Sequence, residues 1–232
     1  IQYLAYRELK AAVQANSAKS GSIVVIDVTT GEVLAMANQP SFNPNDRSEF
    51  RPARYRNRAV TDIFEPGSSI KPFVLAAALE SGAFKSHSTV DTSPGSFKVG
   101  SKLITDKHNL GNISLATVLT KSSNVGISKI AMELEPRFMW NTFSQFGFGA
   151  LTGSGLPAES AGLLANYNSW RPISQATMSY GYGMSVTLLQ LAEAYATLGN
   201  RGQHLPISML RLVDPSSSES VISEETSRSL IE

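Results

Sequence analysis

The stretch Glu65-Pro66-Gly67-Ser68-Ser69-Ile70-Lys71-Pro72, running into Phe73-Val74-Leu75-Ala76-Ala77-Ala78-Leu79, constrains this chain more than any other. The Pro-Gly pair ends whatever precedes it, and the Ala- and Leu-rich run behind it is a strong helix former. Ser68 is therefore predicted at or near a helix N-terminus. Pro72 fits there, because the first backbone N–H groups of a helix have no internal acceptor to lose. Ser81-Gly82 closes the helix.

Residues three apart share a helix face, so Ser68 and Lys71 are expected to lie a hydrogen bond apart. A serine hydroxyl becomes a useful nucleophile only when a neighbour accepts its proton. A lysine accepts it only when neutral, so its pKa must fall from ~10.4 towards neutrality through burial or nearby positive charge. The helix N-terminus adds partial positive charge and directs the Ser68 N–H at an oxyanion forming there. The same Ser-x-x-Lys tetrapeptide also recurs by chance at solvated helix starts, and a second element is needed to assign chemistry to it.

Lys121-Ser122-Ser123-Asn124 is the candidate for that element. It is a polar turn between two apolar helical segments, Ser114 to Leu119 and Val125 to Met132. By itself it reads as a helix N-cap. Beside Ser68 it also presents a hydroxyl and an amide to a cleft. Ser122 can relay a proton between Lys71 and a leaving amine, and the Asn124 amide offers the donor and acceptor that suit a peptide bond.

Composition excludes several alternatives. The 232 residues are enough for one sizeable core, with 42% hydrophobic and 17% charged residues. A net charge of +1 gives no nucleic-acid footprint. With no cysteine there is no disulfide, thiol catalysis or cysteine-ligated zinc. His87, His108 and His204 lack metal-ligand spacing and read as surface residues. Gly147-Phe148-Gly149 and Gly153-Ser154-Gly155 are not phosphate loops, since no helix-opening Lys-Ser or Lys-Thr follows. No cofactor or metal is implied. No apolar run reaches the roughly 18 residues of a membrane-spanning helix, and no signal peptide is visible.

Elsewhere, Ile1, Leu4, Ala5, Leu9, Ala12 and Val13 follow a helical pattern. Ser22 to Val28 and Val33 to Ala37, joined by Thr29-Thr30-Gly31-Glu32, read as a β-hairpin. Arg47, Arg51, Arg54, Arg56 and Arg58 are expected to solvate a loop and pair with nearby carboxylates. Thr89 to Asp106 reads as small strands or a winding loop. Ser223-Glu224-Glu225 reads as a final helix start.

Ser68-x-x-Lys71 followed about fifty residues later by Ser122-x-Asn124 resembles the motif set of penicillin-binding proteins and serine β-lactamases. Asn57 to Ser68, Asn38 to Asn45, Ser122 to Gly126 and Tyr180-Gly181-Tyr182-Gly183 with Gln190-Leu191-Ala192 are similar to class B penicillin-binding proteins, in particular the septal (cell-division) penicillin-binding protein 3 type. The resemblance implies an α+β fold: an antiparallel sheet flanked by helices, plus an all-helical lobe carrying Ser122. It implies peptidoglycan D,D-transpeptidation through a Ser68 acyl-enzyme, with Lys71 as base, Ser122 as proton shuttle, and Asn124, Tyr180 and Tyr182 on the substrate side. It further implies stem peptides as substrates, β-lactams as acylating mimics, divisome partners including a septal glycosyltransferase, and an extracytoplasmic site of action with an N-terminal membrane anchor.

One departure stands out. The family's third motif, Lys-Thr-Gly or Lys-Ser-Gly, does not follow Asn124; Lys19-Ser20-Gly21 matches in letters but precedes the first strand. Residues 1–232 are thus expected to form a transpeptidase domain incomplete at its C-terminus, without anchor or pedestal domain. A smaller departure is Leu188, where the family commonly has proline. Two other readings stay open: a hydrolase of the same fold, β-lactamase or carboxypeptidase, and a non-catalytic penicillin-fold sensor or interaction domain.

Overall fold

The structure is a computed structural model that describes residues 1–46, 48, 52–213 and 217–231. Arg47 and Arg51 lie outside the described residues. In chain order the elements are α1 (Gln2–Ala15), β1 (Gly21–Ile26), β2 (Val33–Gln39), α2 (Pro52–Tyr55), α3 (Arg58–Thr61), a 3₁₀ turn (Gly67–Ile70), α4 (Lys71–Glu80), β3 (Thr89–Asp91), β4 (Ser96–Val99), β5 (Lys102–Thr105), β6 (Asn112–Ser114), α5 (Leu115–Thr120), α6 (Asn124–Met132), α7 (Pro136–Gln145), a second 3₁₀ turn (Tyr167–Ser169), α8 (Pro172–Met178), α9 (Leu188–Gly199), β7 (Gln203–His204), β8 (Glu219–Ser220) and α10 (Glu224–Ile231). No helix among the described residues is long and apolar enough to cross a membrane.

The hairpin β1–β2 pairs antiparallel from Gly21↔Gln39 to Ile26↔Val33. Its two faces pack on different helices, with side chains alternating along each strand except where the register shifts between Val25 and Ile26. Ala35 and Ala37 meet Ala5 and Leu9 of α1. Val24, Ile26, Val33 and Met36 pack with Val60 of α3 and Leu189 of α9. This is an antiparallel sheet between helices. The other strand pairs, β3–β6, β4–β5 and β7–β8, are separate two-stranded ribbons.

The main core gathers around α4, which is apolar on all sides and correspondingly buried from Phe73 to Ala78. The Phe73 ring is edge-on to Phe146, Phe148 and Tyr195, at centroid distances of 4.8, 5.1 and 5.2 Å. Burying such a side chain stabilises the fold by about 2–3 kcal/mol. The helices α5 to α8 close over the far side of α4 and supply Val118, Ile127, Ile130, Met139, Phe143 and Ala176 to the same core. The Ser68 turn leads directly into α4, so Ser68 stands at the edge of the main core.

Arg56 and Arg58 both pair with the carboxylate of Asp62, a pairing of the expected kind. One local expectation changes. His204 is not a free surface residue: its Nε2 lies 2.9 Å from Oε1 of Glu193, which is buried on α9. The carboxylate that recruits it sits eleven residues upstream on another element, with no signal near the histidine itself.

Candidate active site

The 3₁₀ turn and α4 place Ser68 and Lys71. Side chains three apart eclipse in a 3₁₀ helix, and Lys71 N–H closes the turn on the Ser68 carbonyl. Lys71 Nζ lies 3.0 Å from Ser68 Oγ. Gly67 has φ +58, a left-handed conformation open to glycine, which turns the chain sharply before the nucleophile.

The Ser122 turn arrives between α5 and α6. Lys71 Nζ is 2.8 Å from Ser122 Oγ, 2.9 Å from the Ser122 carbonyl oxygen and 2.8 Å from Asn124 Oδ1. Ser122 Oγ and Ser68 Oγ are 2.9 Å apart. Ser122 has φ +53, a left-handed conformation that costs a non-glycine residue roughly 1–3 kcal/mol. That conformation turns both its hydroxyl and its carbonyl onto the lysine.

Four oxygens thus surround one nitrogen. Two of them, the Ser122 carbonyl and Asn124 Oδ1, can only accept. A neutral amine has two N–H donors and one lone pair, so those two acceptors occupy both hydrogens and leave the lone pair facing the hydroxyls. Lys71 is 1% exposed. Burial pulls its pKa down from 10.5 to about 8, against the opposing pull of the Asp106 carboxylate. The arrangement favours a lysine that can take a proton from Ser68 directly or through Ser122.

Asp106, a residue the sequence did not single out, builds the second turn. Its Oδ1 accepts from the Asn124 and Val125 backbone N–H groups at 2.6 and 3.1 Å. Its Oδ2 accepts from Ser123 Oγ at 2.5 Å. Ser123 Oγ in turn accepts from Gly126 N–H, 2.8 Å away, as the N-cap of α6. A carboxylate at a helix N-terminus is favoured by the helix dipole. Asp106 lies 18 positions before Asn124, so only the folded chain reveals the partnership.

The Tyr180–Gly183 segment locks the Ser68 turn from the other side. Gly67 N–H donates to the Gly181 carbonyl at 3.2 Å, and Phe64 and Val186 exchange both backbone hydrogen bonds. A Cβ on Gly181 would sit 2.1 Å from the Gly67 carbonyl oxygen, and Gly181 has φ +86, so only glycine fits. The Glu65 carboxylate accepts from Gly183 N–H at 3.0 Å. The Tyr195 hydroxyl donates to the Ser69 carbonyl at 2.9 Å.

A cavity of about 380 Å³ opens over the cluster, lined among others by Ser68, Ser122, Asn124, Asp106, Lys107 and Lys121. The structure therefore brings Ser68, Lys71, Ser122 and Asn124 together at one cleft. The tyrosines are placed differently. Tyr180 is 8% exposed and belongs to the core, and it does not line the cleft. Tyr182 is 52% exposed, with its ring edge-on to Tyr180 at 5.7 Å. The glycines on either side of Tyr182 signalled a turn but not which ring points inward.

A family profile described as the penicillin-binding protein transpeptidase domain matches residues 21–232. The chain belongs to this family. Its penicillin-binding relatives include the peptidoglycan D,D-transpeptidase FtsI of Escherichia coli K12, 44% identical over 231 residues, which are 100% of this chain and 39% of that protein. The probable peptidoglycan D,D-transpeptidase PenA of Neisseria meningitidis serogroup A is 43% identical over 228 residues, 98% of this chain and 39% of that protein. The chain thus spans about two-fifths of the length of these relatives. In three dimensions it resembles the transpeptidase domain of Burkholderia pseudomallei penicillin-binding protein 3, with a TM-score of 0.90 and 40% identity over 99% of this chain and 65% of that one. A crystal structure described as a peptidoglycan glycosyltransferase from Burkholderia ambifaria gives a TM-score of 0.91 and 41% identity, covering 99% of this chain and 69% of that one. These neighbours carry the α+β penicillin-binding transpeptidase fold.

Proposed function

We propose that residues 1–232 belong to the transpeptidase domain of a septal peptidoglycan D,D-transpeptidase that works through a Ser68 acyl-enzyme. The observation that carries this reading is the position of Lys71 Nζ, within 3.0 Å of Ser68 Oγ and 2.8 Å of Ser122 Oγ at once. The names of the relatives, peptidoglycan D,D-transpeptidases, support it.

Ser68 Oγ attacks the carbonyl of the penultimate D-alanine as its proton passes to Lys71. The Ser68 N–H, in the first turn and without an acceptor inside the helix, faces the developing oxyanion. Collapse breaks the C–N bond, and Ser122 hands a proton to the departing D-alanine amine. The Asn124 amide holds the substrate peptide bond, and Tyr182 borders the substrate with Tyr180 supporting its ring. An acceptor amine then attacks the Ser68 ester. A new C–N bond forms, the C–O bond breaks, and the amine proton returns through Ser122 and Lys71 to Ser68 Oγ. A β-lactam follows the first half of this path, but its leaving group stays tethered.

A hydrolase of the same fold needs a base for the deacylating water. Among the described residues lining the cleft the only carboxylate is Asp106, whose two oxygens are held by Ser123, Asn124 and Val125. That favours transfer to an amine over hydrolysis. Because the substrate lies outside the cytoplasmic membrane, the site works on its extracytoplasmic face, in the company of division proteins that include a septal glycosyltransferase.

Intact-mass spectrometry after addition of a penicillin tests the reading. A lasting adduct of one penicillin, absent in Ser68→Ala, is expected. Rapid clearance with turnover would turn the reading to a β-lactamase, and no adduct in the complete protein would turn it to a non-catalytic domain.

A further inference from the structure

The cleft holds more charge than the acylation chemistry uses. Lys107 and Lys121 line the cavity with Ser68, Ser122 and Asn124, and His108 lies beside them. Both lysines are exposed, and among the described residues neither takes part in an ion pair. Among the described residues the one carboxylate at this cavity, Asp106, is turned onto the N-terminus of α6 by three hydrogen bonds. The lysines thus face the cleft without a partner of opposite sign.

Their place in the chain says which part of the reaction they serve. Lys121 directly precedes Ser122, and Lys107 directly follows Asp106, the residue that holds Ser123 and Asn124 in place. Both therefore flank the turn through which the attacking amine must give up its proton. We propose that Lys107 and Lys121 form an acceptor subsite that pairs with the carboxylate of an incoming amino-acid amine. The inference rests on the transpeptidase reading above and names the chemistry of its second substrate.

Two effects work together at such a subsite. The carboxylate gains charge-assisted hydrogen bonds in a partly enclosed cleft, where screening by solvent is reduced. The same cations disfavour a protonated amine beside them, which raises the fraction of the neutral nucleophile. An amine without a carboxylate meets only the repulsion.

The test uses the complete protein, acylated on Ser68 by a thioester donor with an uncharged leaving thiol. The acyl-enzyme is offered D-alanine and D-alaninamide in competition. The ratio of the two products is read by mass spectrometry and divided by the ratio that the two amines, which differ in basicity, give with the same thioester in solution; it does not depend on how fast Ser68 was acylated. The native protein is expected to favour the carboxylate acceptor by about tenfold, the sum of two partly exposed charge pairs. That preference should shrink as salt rises. Lys107→Ala/Lys121→Ala should bring the ratio close to one, and Lys107→Glu/Lys121→Glu should invert it.

A corrected ratio of one in the native protein overturns the inference while leaving the transpeptidase reading intact. So does a preference that survives both double variants. A parallel series of donors ending in a carboxylate or an amide separates the leaving side: if the variants change only the donor ratio, the lysines serve the departing residue and the acceptor subsite is wrong. Failure of Ser68 to be acylated at all overturns the transpeptidase reading, and this inference with it.

Discussion

Two buried titratable groups, Lys71 on α4 and Glu193 on α9, meet different fates. Lys71 is buried under a cleft, and Glu193 is buried against His204. Burial pushes both towards neutrality, lowering the lysine and raising the glutamate. Lys71 is ringed by two carbonyl oxygens and two hydroxyls. Glu193 has a histidine whose own pKa it raises. The lysine is left with a lone pair aimed at a nucleophile, while the glutamate is left with a tie between α9 and β7. Burial alone does not make a catalytic group; the neighbours decide whether the perturbed proton can go anywhere.

The sharpest way to break this comparison is Lys71→Arg. Arginine keeps the charge but stays protonated at any working pH, so penicillin acylation should fall by about 10³-fold, in the range expected for loss of a general base. Stopped-flow or timed intact-mass measurement checks it, and near-native acylation would show that Lys71 does not act as the base. In the native protein the acylation rate should rise with pH through about 8, where Lys71 loses its proton. Stability carries the matching sign. The unfolded chain holds this proton up to 10.5, so burial of Lys71 costs stability below about 8, and the cost fades between those values.

Gly181→Ala comes next. It forces a methyl group against the Gly67 carbonyl at a positive φ, at a cost of roughly 2–4 kcal/mol. Thermal unfolding should move down by several degrees and acylation should fall with it, whereas Gly153→Ala, positive in φ but with open space around its Cβ, should move the melting point less and spare the site. Asp106→Ala removes the acceptor for two amides and a hydroxyl. A loss of about 2 kcal/mol is expected, with slower acylation because Asn124 shifts; Asp106→Asn, which keeps one acceptor, should recover part of both.

The smallest effect is expected at the second buried group. For both Glu193 and His204 the folded-state pKa is raised. Their contribution to stability is therefore fully present at low pH and declines as pH climbs past the ordinary 4.5 of the acid and then through the raised pKa of the histidine. Glu193→Gln should flatten that part of the melting-temperature profile and leave Ser68 acylation unchanged. A large loss of acylation in this variant would erase the distinction between the two sites.

Much of this could be read before folding. The Ser68–Lys71 pair depends on three residues of separation in a helical turn, and Ser123 caps α6 from the adjacent position. The hairpin, α4 and α10 follow from period, turn residues and caps of the same kind. Tyr180 and Tyr182 carry the same local signals, yet one ring is buried and the other exposed.

The sequence by itself determined which groups stand next to each other along the chain: a hydroxyl, an amine and the helix start that aligns them. Only the tertiary structure decided that Lys71 is buried among four oxygens, that Asp106 holds the second turn, that Gly181 lets the Ser68 turn close, and that two lysines share the cleft. Helical spacing and capping are set by bonds a few residues long. Burial, carboxylate partners and backbone close approaches depend on segments 18 to more than 100 residues apart, and no local pattern in the chain encodes their meeting.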